Sequence, residues 1–428
     1  MTRIDYPRLG ETVYTDTLEN GLKLVVIPKK GFARADAFFA TNYGSIDTKF
    51  FLDGKWQTSP AGVAHYLEHK MFDMPSGNAL QTLSSYGASP NAFTSYEMTA
   101  YYFTATEYFD ECLRELLTFV STGYFTEESV EKERGIISQE IRMYEDNPNS
   151  QVGERLFEIM YHNHPVRVSI AGTVESISDI TAETLYSCHR AFYDPSNMCL
   201  IVCGDFDPEH IKEIAKEVLP DNAATVSDRD YGEAEPDSVV SHYCCREMEV
   251  GATIFELGFK LPETTGGREG YKTELVGELA FQVLCGGSSR LFAKMYSEGL
   301  INGTFSGGYE TIKHTSMIVA GGESEQPEKV RDELIAEAER IIAGDVDMDL
   351  FRRLKKASYG RHLSELDSFS GICYGMASSV FDNCNLFDFA EIYDEITWED
   401  VREFLKLAIT YERSALSVIN PLKGGDEE

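Results

Sequence analysis

Alternation of apolar and polar positions divides the chain into short strands and longer helices. The run Thr17 to Pro28, TLENGLKLVVIP, reads as a hairpin with Glu19-Asn20-Gly21 as its turn and Leu22 to Ile27 as a strand. Ala35 to Asn42 is a second apolar strand, ending at Gly44-Ser45. Helical periodicity covers 78–86, 108–124 and 181–192; in the second of these Cys112, Leu113, Leu116 and Leu117 share a face. Strands are expected over 99–104 and 198–203, and Asp207-Pro208-Glu209 opens another helix.

The pattern changes at residues 220–241, PDNAATVSDRDYGEAEPDSVVS, which are acidic, polar and poor in large apolar groups, and so read as a linker. Beyond it the theme returns, with a strand over 249–260, a helix over 273–284, a strand edge at 318–321 and long helices over 327–342 and 346–364. At 428 residues the chain is too long for one core. Two α+β domains are expected, 1–219 and 242–428.

The chemistry is concentrated in His65-Tyr66-Leu67-Glu68-His69. On a helix the two histidines, four apart, lie one above the other, where neutral imidazoles can share one Zn²⁺. Glu68 can lie beside that ion without binding it, placed to take a proton from water there. Small and apolar neighbours (Gly62, Val63, Ala64, Leu67, Met71) suit a helix. A catalytic zinc needs a third protein ligand. The best candidates lie in Thr126 to Asn147, where Val130, Ile136, Ile137 and Ile141 form an apolar stripe and Glu133 and Glu140, two turns apart, share a face. Read alone, these glutamates could equally be a solvated acidic face. His162 and His164 read as loop braces, not ligands.

Taken together these elements resemble the insulinase-like (pitrilysin) metallopeptidases, whose pattern is H-x-x-E-H followed some seventy residues later by E-x₆-E. His69 and Glu140 stand seventy-one apart, and Glu133 to Glu140, ERGIISQE, matches the second element. The resemblance implies His65, His69 and Glu140 as zinc ligands, Glu68 as general base and Glu133 as the support of a ligand. It further implies that Gly87 to Thr94, GASPNAFT, forms a sheet edge to which substrate peptide adds as a strand along Asn91, Ala92 and Phe93. The implied fold is two homologous α+β halves, each an antiparallel sheet packed with helices, enclosing a chamber, with metal only in the first half. The implied activity is zinc-dependent endopeptidase action on short unfolded peptides. The rival is a non-catalytic peptide-binding or partner subunit of a processing peptidase pair, although such relatives typically lose metal residues and none is missing here. One departure stands out. Where the family's second half carries an Arg and a Tyr seven apart, this chain has Tyr296 and Gly303; Tyr309, just beyond, reads as core.

Composition narrows the partners. A formal net charge of −33 argues against nucleic acid or an anionic membrane, and no apolar run approaches a membrane span. No signal or transit pattern opens the sequence. Nine scattered cysteines, none with CxxC spacing, read as reduced thiols, so the cytoplasm is expected. Whether the chain works alone, as a homodimer or with a degenerate paralogue stays open.

Overall fold

The two most apolar strands are buried on both faces. In the computed structural model, which describes residues 1–221, 227–345 and 347–422, every residue of Ala35–Thr41 and of Met198–Gly204 is buried. They pair at the centre of a seven-stranded sheet built from β1 (Thr2–Tyr6), β2 (Glu11–Thr17), β3 (Lys23–Pro28), β4 (Ala35–Thr41), β5 (Ser89–Thr94), β6 (Thr99–Ala105) and β7 (Met198–Gly204). The strand order is β1-β2-β3-β7-β4-β6-β5, which leaves β5 on an edge. A second sheet comprises β8 (Tyr243–Met248), β9 (Ile254–Leu261), β10 (Ser306–Ile312), β11 (Thr315–Glu323) and β12 (Ser414–Pro421), in the order β8-β12-β9-β11-β10.

The α+β class holds, but the sheets are not purely antiparallel. β7 runs parallel to β3, and β8 parallel to β12. Both pairs join strands far apart in sequence, and a long connection is what parallel pairing requires.

The chain folds as two compact units, and neither is continuous in sequence. The first is Met1–Ile141, Ser169–Tyr231 and Leu363–Phe387; the second is Arg142–Val168, Gly232–His362 and Asp388–Glu428. This departs from the expected division into 1–219 and 242–428. The helices relevant here are α1 (Val63–Met71), α2 (Glu127–Glu145), α3 (Pro148–Met160) and α4 (Phe369–Phe381). α3, from early in the chain, packs on the second sheet; Gly258 lets it lie close, since a Cβ there would meet Met160 Sδ at 2.3 Å. α4, from late in the chain, covers β4 and β7 of the first sheet with buried Ile372, Cys373, Met376 and Ala377. Each helix is amphipathic, and such a face is satisfied by any apolar sheet within reach, whichever half of the chain supplies it.

The expected linker is held down on both sides of the division. Its residues 222–226 lie outside the described ones. In the first unit Arg229 pairs with Asp47 at 3.0 Å, and Tyr231 donates to the same carboxylate at 2.8 Å. In the second, Glu235 accepts the backbone N–H groups of His162, Asn163 and His164 at 2.6, 2.8 and 3.0 Å and pairs with buried Lys260 at 2.7 Å. These contacts draw its carboxyl, against the cost of burial, down to about 2. The loop is braced by Glu235 and Lys260 through the backbone of 162–164, and of the two histidines expected to brace it, the His164 ring does so, its Nδ1 accepting the Val166 N–H at 3.1 Å.

Candidate metal centre

α1 begins where two backbone segments cross. Gly62, its N-cap, has φ 88°, and a Cβ there would meet Ala171 O at 2.4 Å; a Cβ on Gly172 would meet Ala61 O at 2.5 Å. Only glycine fits both the left-handed dihedral and the approach. Tyr66, fully buried, donates its hydroxyl to Val130 O near the start of α2, tying the two helices together. On α2, Val130, Ile137 and Ile141 are buried as expected, but Ile136 is 49% exposed. One residue is a 100° turn, which carries Ile136 off the stripe and onto the side of Glu133 and Glu140.

The structure brings His65, His69 and Glu140 together, with ligand atoms all within 4.8 Å of one another. His65 Nε2 lies 3.6 Å from Glu140 Oε1, and His69 Nε2 lies 3.5 Å from Glu140 Oε2. Those separations exceed a hydrogen bond. They match the spacing of two ligand atoms each about 2.0–2.2 Å from a tetrahedral ion, which is about 3.3–3.6 Å. Two imidazoles and one carboxylate form a donor set suited to Zn²⁺ with a position left open.

The protonation of each group follows from its surroundings. Burial, reinforced by the neighbouring His69, pushes His65 down to about 4, which favours the neutral imidazole that a metal ligand requires. His65 Nδ1 is buried without a hydrogen-bond partner among the described residues. His69 is half-buried, which by itself would lower it. Its Nδ1 contact with Glu133 Oε1 at 3.0 Å, aided by Glu68 and Glu140, outweighs that and holds it above its usual value. With Nδ1–H committed to Glu133, Nε2 is the nitrogen that faces Glu140. Glu68, 9% exposed, is raised by burial, and a hydrogen bond from Thr94 Oγ1 to its Oε2 at 2.7 Å partly offsets this. His162 and His164 belong to the second unit and take no part in this cluster.

Asn91, Ala92 and Phe93 lie on the edge strand β5, paired only to β6. The Ala92 N–H is directed to Asn91 Oδ1 at 2.9 Å, so it does not serve the ladder to β6. Phe93 packs in an aromatic cluster with Phe38, Tyr102 and, from α4, Tyr374, at 5.9, 6.3 and 5.7 Å. Its neighbour Thr94 points the other way, to Glu68, as strand alternation requires. Sequence reasoning gives Thr94 and Tyr374 no role. Thr94 closes the GASPNAFT segment and is within reach of such reasoning; Tyr374 carries no local signal. Tyr309 is core, against Phe404 at 5.5 Å.

Residues 57–174 match the family described as Insulinase (Peptidase family M16), and residues 179–358 match the Peptidase M16 inactive domain. The uncharacterized zinc protease YmfH of Bacillus subtilis is 37% identical over 98% of this chain and 99% of its own length. The chain belongs to the insulinase (M16) peptidase family. A solved structure of an M16-like peptidase from Alicyclobacillus acidocaldarius aligns with a TM-score of 0.92 at 29% identity, covering 98% of this chain and 100% of that one. A protease of Helicobacter pylori shares the fold, with a TM-score of 0.82 at 20% identity over 96% and 99% of the two chains. Among the described residues, no helix is long and apolar enough to cross a membrane.

Proposed function

We propose that this chain is a zinc-dependent endopeptidase acting on short unfolded peptides, with His65, His69 and Glu140 holding the metal and Glu68 as general base. The observation that carries the reading is the convergence of two Nε2 atoms and one carboxylate beside a buried, raised carboxyl that is not part of the triad. Zn²⁺ bound there would acidify water and polarise the scissile carbonyl. Glu68 takes the proton from the attacking water and returns it to the departing amine nitrogen. Glu133 fixes the His69 ring. Extended peptide pairs along Asn91 to Phe93, where the Ala92 N–H exchanges Asn91 Oδ1 for a substrate carbonyl. Folded domains are excluded because their backbone groups are already paired.

The reading extends to surroundings. Nine free thiols fit work in the cytoplasm. Tyr296 and Gly303 stand in place of the family's Arg and Tyr, so backbone pairing along Asn91 to Phe93 carries more of the hold on the substrate.

The test has two arms. Zinc per chain, measured by mass spectrometry, should be near one for the wild type and fall for Glu140→Gln. Glu68→Gln should keep zinc and lose about 10²–10⁴-fold in cleavage of a disordered peptide. A mutant at Glu140 with undiminished zinc, or one at Glu68 with near-normal turnover, would overturn the assignment.

A further inference from the structure

A glutamate side chain on a helix has three rotatable bonds, and nothing in α1 itself fixes where the Glu68 carboxylate points. The constraint comes from the sheet. Thr94, the last residue of β5, stands directly opposite Thr99, the first of β6. Thr99 is fully buried and donates its hydroxyl proton to Tyr43 O at 3.0 Å. Tyr43 is itself immobilised, its ring stacked on Phe192 at 4.1 Å and 11°. The Thr99 oxygen lies 3.4 Å from Thr94 Oγ1, and Thr94 Oγ1 reaches Glu68 Oε2 at 2.7 Å. A hydroxyl has one proton to give, and the Thr94 proton goes to Glu68. The other carboxylate oxygen has no protein partner among the described residues.

We infer that Thr94 is a positioning residue for peptide hydrolysis, holding one oxygen of Glu68 so that the other is presented to the reacting water. This rests on Glu68 being the base. It adds a geometric link, because β5 is also the edge along which substrate pairs. One strand therefore registers both the peptide backbone and the base that acts on it. A substrate seated one residue out of step would place its carbonyl wrongly relative to a carboxylate fixed by the same strand.

The experiment compares Thr94→Val, which keeps the branched shape, with Thr94→Ser, which keeps the hydroxyl. Thr94→Val should bind zinc as the wild type does and keep its KM, while kcat falls about 10- to 100-fold. Thr94→Ser should return to within about threefold of wild type. Crystals of zinc-loaded Thr94→Val should show the Glu68 carboxylate turned from its wild-type position with His65, His69 and Glu140 unmoved. An unchanged kcat overturns the inference. So does a loss borne by KM, a serine variant no better than valine, or a carboxylate that stays in place. Glu68→Gln, run in parallel, separates the two readings. If it stays active, the base assignment fails. If it is inactive while Thr94→Val is normal, only the role of Thr94 fails. Should the wild type cleave no peptide, the crystal comparison still decides whether Thr94 holds the carboxylate.

Discussion

Replacing Glu133 by glutamine should weaken zinc binding without removing any of the three proposed ligands. Glu133 touches the site only through His69 Nδ1, at 3.0 Å. Side-chain exposures of 24% for His69 and 18% for Glu133 mean the contact is shielded from solvent. A hydrogen bond to a charged group contributes about 1.5–3 kcal/mol. At 1.4 kcal/mol per factor of ten, full loss would cost roughly 10- to 100-fold in affinity, which is also the usual cost of removing a group that orients a metal-bound histidine. Glutamine can still accept from Nδ1–H through its amide oxygen, so Glu133→Gln should sit at the lower end and Glu133→Ala at the upper. Affinity is read by competition with a chromophoric chelator at pH 7.5, with far-ultraviolet circular dichroism to show that both variants fold. If both bind zinc within twofold of wild type, the Glu133–His69 contact does not orient the ligand, and the role given to Glu133 is wrong.

Three further outcomes follow from the same structure. Arg229→Met should destabilise the first unit by about 3 kcal/mol, because it strands a carboxylate, Asp47, that is 2% exposed; the Tyr231 and Gly44 hydrogen bonds that remain keep the loss at the low end for a broken buried pair. A shift in urea midpoint equivalent to less than 1 kcal/mol would refute it. Burial, aided by His314, holds His164 down to about 4, while the unfolded chain titrates near 6.5. Between those values the unfolded state binds the proton and the folded state does not, so this contribution is complete above about pH 6.5 and is lost as pH falls to about 4. His164→Asn, which can still cap the Val166 N–H, should flatten the pH dependence of urea unfolding in that window; a slope equal to wild type would count against it. Ala92→Pro removes an N–H that β6 does not use, so it should keep zinc and fold but raise KM several-fold; unchanged kinetics would argue against edge-strand binding.

Local chemistry in this chain is legible wherever periodicity and spacing carry it. The helices over 182–192 and 327–342, the apolar strands β4 and β7, and the seven-residue separation of Glu133 and Glu140 all come from patterns within one element. Ile136 misleads because a stripe is an angular property: a residue adjacent to a buried one sits 100° away. The hairpin Lys49–Leu52 and Lys55–Thr58 carries no strand signal of its own, since Phe51 and Trp56 are exposed against each other at 5.6 Å and give no one-sided alternation. Thr94 lies inside the GASPNAFT segment, but a threonine in a strand signals β-propensity alone; its hydrogen bond to Glu68 depends on how α1 packs. The exchange of α3 and α4 is invisible for a deeper reason. Amphipathic faces specify that something apolar covers them, not which sheet it is.

That exchange sets an order of events in time. Domains emerging from a ribosome generally fold as units, the N-terminal one first. Here the first unit is not complete until Phe387 has been synthesised. Until then β4 and β7 lack the helix that covers one of their faces, long after the residues of the H-x-x-E-H segment have emerged. A nascent chain would therefore carry exposed apolar strands until Phe387 has emerged, and the first sheet is expected to close only then.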